Sequence, residues 1–101
     1  MPVSVTLNGR SMTALVSGEI DHHGAREIMD TLEREINAAL PKSLELDLSG
    51  VTFMDSSGIA VLLRAHRRLD ELEGRLTVHS IPTQPRKVLD AAGVGRIISL
   101  Q

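Results

Sequence analysis

The apolar residues of this chain change their spacing repeatedly, and each change limits what the chain can build. Val3, Val5 and Leu7 stand at every second position, separated by Ser4 and Thr6, and Met12, Ala14 and Val16 repeat the pattern. A period of two puts one face of an extended strand into a core. Asn8-Gly9 lies between the two runs, a dipeptide that accepts the positive φ of a tight hairpin turn, so the second strand pairs back on the first. The spacing then lengthens. Ala25, Ile28, Met29, Leu32, Ile36 and Ala39 recur every three or four residues, which is one face of a helix. Asp21 precedes this run as its expected cap, and Pro41 helps to stop it.

The alternation resumes at Leu44, Leu46 and Leu48, with Glu45 and Asp47 between them. This is a third strand, which Ser49-Gly50 is expected to break. Ile59, Leu62, Leu63, His66 and Leu69 predict a second helix, ended by Gly74. Leu76 to His79 predict a fourth strand, and Pro82 a loop. Val88, Leu89 and Ala92 predict a short third helix with Gly93 as its C-terminal cap. Ile97 to Leu100 predict an edge strand. The order β-β-α-β-α-β-α, with a last β, implies an α/β fold with a mixed sheet. The first two strands form a hairpin, the later ones are joined by right-handed crossovers, and helices that each bury one face pack on one side. With 101 residues and neither repeat nor linker, the expectation is one domain, residues 1–101.

Composition narrows the function. Phe53 is the single aromatic residue, so there is no stacking platform for single-stranded nucleic acid. A net charge of -2 does not favour a nucleic-acid backbone as partner. Without cysteine there is neither a disulfide framework nor a cysteine-ligated metal. No basic segment followed by an apolar stretch opens the chain, and no apolar run approaches the ~18 residues of a membrane span. The expectation is a cytoplasmic protein with no membrane partner.

The chemistry is concentrated in Phe53-Met54-Asp55-Ser56-Ser57-Gly58. In open α/β sheets, binding sites gather at the C-terminal ends of strands, and a helix begins just after this stretch. An Asp, two Ser and a Gly before an amphipathic run form a plain helix cap. The alternative is that one serine is exposed and modified. A phosphate there would meet free N–H groups of a helix N-terminus.

The run LDLSGVTFMDSSGIAVLLRAHRRL, residues 46 to 69, resembles the signature of STAS domains, above all of bacterial anti-sigma factor antagonists. Gly18-Glu19-Ile20-Asp21-His22-His23 resembles the sporulation, anti-sigma F, type within that family. Val88 to Gly93 with Ile97-Ile98 is a weaker match. The resemblance spans nearly the whole chain and implies the STAS fold and a mechanism. The unphosphorylated antagonist binds an anti-sigma factor that is also a serine kinase of the GHKL-type fold, and the sigma factor is freed. Phosphorylation of the serine after the Asp, Ser56 here, switches binding off, and a PP2C-type phosphatase resets the cycle. On this resemblance Asp21, His22, Asp55, Ser56, Ser57 and Gly58 face the partner, with Ser57 more a cap or hydrogen-bond donor than a phosphoryl acceptor. No cofactor is implied. The alternative within the family is an interaction module of a transport or lipid-trafficking complex.

The remaining polar residues carry plainer readings. His22-His23 have no further His or Cys at ligand spacing, so no metal is expected. Asp47 reads as strand-end chemistry, while Asp55 could orient the Ser56 hydroxyl. Arg64, Arg67 and Arg68 form a basic helix face, expected to pair with Asp70, Glu71 and Glu73. A triad of Ser56, a histidine and Asp21 lacks the GxSxG elbow, so no enzyme activity is expected, and the resemblance implies a kinase substrate instead.

Overall fold

The computed structural model describes residues 2–101. Strands β1 (Val3–Asn8) and β2 (Ser11–Ile20) form the hairpin, followed by α1 (His22–Ala39), β3 (Ser43–Met54) and α2 (Ser56–Glu71). Then come β4 (Arg75–His79), α3 (Thr83–Ala91), a 3-10 turn at Val94–Arg96 and β5 (Ser99–Leu100). The five strands stand in chain order, β1-β2-β3-β4-β5. β1 is antiparallel to β2, and every later neighbour is parallel. The predicted order and mixed sheet are therefore present, edge strand included.

Alternation along the central strands shows why the layers form. Met12, Ala14 and Val16 of β2, Leu44, Leu46 and Leu48 of β3, and Leu76 and Val78 of β4 are buried. Their neighbours Ser11, Leu15 and Glu45 are exposed, so one face is covered by helices and the other meets solvent. Ala25, Ile28, Met29, Leu32 and Ile36 of α1 supply the opposing layer. In α2 the buried stripe is Val61, Leu62, Ala65 and Leu69, while Ile59, Leu63 and His66 flank it half-buried. Among the described residues no polar or charged residue is buried, so the core is aliphatic side chains and methionine alone.

Three local expectations need correction. The hairpin turn is centred on Gly9 and Arg10, with Asn8 still paired to Ser11, and Gly9 takes the positive φ of 65°. Ser49-Gly50 does not break β3. The strand bulges there, Ser17 now opposing Gly50, and continues to Met54. A bulge absorbs one extra residue and re-aims the strand without ending it. Asp47 supports it by accepting the Ser49 N–H at 2.9 Å. Finally, α2 is not ended by Gly74. The left-handed residue there is Glu73, at φ 57°, and Gly74 is placed by its close approach to the Lys42 carbonyl. Gly93, at φ 71°, does terminate the α3 region as predicted.

Candidate functional site

The bulge carries β3 to the same level as the end of β2, where Ile20 stands opposite Met54. The Asp55 N–H donates to the Ile20 carbonyl at 3.2 Å and ties the two ends together. Both strands turn at once into helices. The result is two helix N-termini, of α1 and α2, side by side at the C-terminal edge of the sheet.

Each N-terminus is capped by an aspartate. Asp21 is extended, and its Oδ1 accepts the Gly24 N–H at 2.8 Å. Asp55 is extended too, and its Oδ1 accepts the Ser57 N–H at 2.8 Å. A carboxylate at this position meets both an orphan donor and the positive end of the helix dipole. Asp55 is thus a helix cap, and its carboxylate is turned to Ser57 rather than to Ser56. The Asp55 carbonyl also accepts the Gly58 N–H at 3.0 Å. Two of the donors that sequence reasoning offered to a phosphate, the Ser57 and Gly58 N–H groups, are already engaged by Asp55.

The two serines differ. Ser56 is the first residue of α2 and is exposed. Ser57 is half-buried and lines a groove of about 260 Å³ between α1 and α2, with His22, Arg26, Met29 and Arg64 among its other walls. His22 is exposed at the first position of α1, across this groove from Ser57. The structure thus brings Asp21, His22, Asp55, Ser56 and Ser57 to one edge. Gly58, expected to touch a partner, is buried. A Cβ there would stand 2.5 Å from Met54 Cγ, so the close approach that requires glycine is internal. His23 turns along its own helix toward Glu27, 3.7 Å away, and not toward His22.

Several contacts had no signal in the sequence. The arginines of α2 reach across to α1: Arg64 pairs with Glu33, and Arg68 Nε donates to Asn37 Oδ1 at 3.0 Å. Among the described residues, only Glu71, 3.4 Å from Arg68, is a partner of the expected kind. Gln84 of α3 holds the last residue of β3 from both sides of its peptide. Its Oε1 accepts the Met54 N–H and its Nε2 donates to the Met54 carbonyl, each at 2.8 Å. Phe53 is 42% exposed beside the serine loop, an unusual position for the sole aromatic side chain. On the open sheet face, the Ser49 hydroxyl and N–H hold the Asp47 carboxyl below its ordinary range, with a smaller contribution from His79.

Comparison with known proteins places this arrangement. Residues 3–100 match the family model described as "Mlab, STAS domain". An anti-sigma F factor antagonist of Lysinibacillus sphaericus is 32% identical over 78 residues, which cover 77% of this chain and 67% of that protein. An anti-sigma-B factor antagonist of Listeria monocytogenes is 25% identical over 105 residues, covering 100% of this chain and 90% of its own. Among solved structures, the anti-sigma factor antagonist SpoIIAA in its unphosphorylated form superposes with a TM-score of 0.83 at 23% identity, over 98% of this chain and 87% of that one. The fold, the strand order and the match along almost the whole length agree: the chain belongs to the STAS domain family.

Proposed function

We propose that residues 1–101 form a single STAS domain that acts in the cytoplasm as an anti-sigma factor antagonist. Its unphosphorylated form binds an anti-sigma factor with a GHKL-type serine kinase fold and frees the sigma factor. Phosphorylation on Ser56 switches binding off, and a PP2C-type phosphatase restores it. The domain is a substrate and has no catalysis of its own. The names of the related proteins support the general role. The observation that carries the specific one is the contrast between the serines: Ser56 is exposed on the helix edge, while Ser57 is half-buried in the inter-helix groove and its N–H is held by the Asp55 cap. Asp21, His22, Asp55 and Ser57 surround the acceptor and form the partner-facing edge, with Gly58 supporting it from inside.

The switch needs no change of fold. A phosphoryl group adds about 1.5 to 2 negative charges. Because Ser56 is exposed and Asp55 already holds the Ser57 and Gly58 N–H groups, that charge faces the partner. Two like charges ~4 Å apart at an effective dielectric near 20 repel by roughly 4 kcal/mol. That is roughly a thousandfold in affinity, enough to separate bound from free.

The test is a paired pull-down from lysate of the source organism with Ser56→Ala and Ser56→Glu baits. The expected result is a GHKL-type kinase on the Ala bait and none on the Glu bait. Retention of one membrane-transport or lipid-trafficking complex by both baits would instead select the second reading, a STAS interaction module without a switch.

A further inference from the structure

We propose that Gln84 is a positioning residue for Ser56, holding the end of β3 from its unpaired outer edge. This rests on the reading of Ser56 given above. β4 pairs only with Ser43 to Asp47, so beyond that point the outer edge of β3 has lost its strand neighbour. Met54 lies seven residues past the last of these pairs, and both its N–H and its carbonyl point to that vacated side. The Gln84 carboxamide takes both groups at 2.8 Å, offering one acceptor and one donor as a backbone peptide would. Met54 is two residues before Ser56, and its side chain packs beneath Gly58. One side chain of α3 therefore anchors the stretch that presents the serine.

The anchor is itself held. α3 has no side-chain cap at its start, but Pro82 precedes it and Pro85 is buried within its first turn. Their fixed φ angles restrict the backbone on either side of Gln84. Order at the start of α3 is passed to the serine loop through two hydrogen bonds. Pre-organising a binding-competent loop raises apparent affinity by the fraction of time the loop is held.

The test compares the full chain with Gln84→Ala and Gln84→Glu by residue-resolved amide hydrogen exchange. The net worth of one hydrogen bond corresponds to roughly three- to tenfold in local opening, so loss of the two that Gln84 makes corresponds to roughly ten- to a hundredfold. In Gln84→Ala, exchange at Met54, Asp55, Ser57 and Gly58 should speed by about that factor while β1 and β2 keep wild-type rates. Gln84→Glu should fall between wild type and the Ala variant at neutral pH, where its carboxylate still accepts the Met54 N–H but has no donor for the Met54 carbonyl. Protection should return near pH ~4, where the protonated carboxyl again offers one donor and one acceptor. Uniform acceleration across the chain, or unchanged exchange at the serine loop, overturns the positioning role.

A second arm uses the kinase retained by the Ser56→Ala bait. With Gln84→Ala as substrate, KM for phosphorylation should rise severalfold at constant kcat, and an unchanged KM overturns the inference. A wild-type chain left unmodified by that kinase would sink the reading of Ser56, and the exchange arm would still decide whether Gln84 holds the loop.

Discussion

Gly24→Ala is an instructive perturbation, because helix propensity and packing oppose one another there. Gly24 lies in the first turn of α1, and its N–H is the one that Asp21 caps. Taken alone, replacing a helical glycine by alanine favours the helix by about 1 kcal/mol. The structure reverses the sign. A Cβ at Gly24 would stand 2.2 Å from the Glu19 carbonyl oxygen, far inside the 3.4 Å at which ordinary contact begins. The obstacle is backbone of β2 and cannot rotate away. Either the strand end or the helix start must move, and both belong to the candidate site. Overpacking of this kind costs ~1–3 kcal/mol. Against the propensity gain, a net loss of about 1 kcal/mol is expected, a fall in Tm of ~4–8 °C for a domain near 100 residues. Gly58→Ala is the comparison: its obstacle is a side chain and not backbone, the buried Met54 with Cγ at 2.5 Å, so any loss there reports displacement of Met54 and not a locked strand–helix junction. Thermal and urea unfolding of both variants measure the difference. A Gly24→Ala protein as stable as wild type would refute the claim that the β2–α1 junction is locked by backbone contact.

Removing the second cap by Asp55→Ala leaves the Ser57 N–H without its acceptor and should cost ~1 kcal/mol in urea unfolding, with exchange faster in the first turn of α2. Leu46→Ala empties a site on the central strand that is 1% exposed, and a loss of about 2–5 kcal/mol is expected by the same assay. Asp47 has a folded pKa below its ordinary value, so its contribution is fully present above the ordinary value near ~4 and disappears as pH falls through the lower folded pKa. Stability measured down this acid range should therefore fall less steeply in Asp47→Asn than in wild type, and equal slopes would contradict the assigned cause.

Much of this architecture is legible because it is local. The switch between two- and four-residue spacing marks every large element, and the glycines at 9 and 93 mark positive φ where a turn and a helix end require it. The bulge at Ser49-Gly50 is not legible in the sequence because a Ser-Gly pair signals a break equally well, and only pairing with Ser17 decides between the two. The same holds for Leu40, Glu73 and Ser80, which adopt positive φ without being glycine. At the site, Asp21, Asp55 and the serines were visible as a motif, but which serine is exposed depends on how α2 rotates against α1. The Gln84 clamp joins residues thirty apart in sequence and has no periodicity to reveal it. The pairing of Arg64 with Glu33 is likewise a product of helix packing, and the expected sequence-local partners were mostly wrong.

The central claim is that Ser56 carries the switch, and mapping the phosphate tests it most directly. Wild-type chain, Ser56→Ala and Ser57→Ala are incubated with ATP and the kinase retained by the Ser56→Ala bait, and the modified residue is located by mass spectrometry. The account predicts one phosphate, on Ser56, in the wild-type chain and in Ser57→Ala, none in Ser56→Ala, and loss of kinase binding by the modified form. Phosphate on Ser57, or a phosphorylated form that still binds the kinase as tightly, would contradict it.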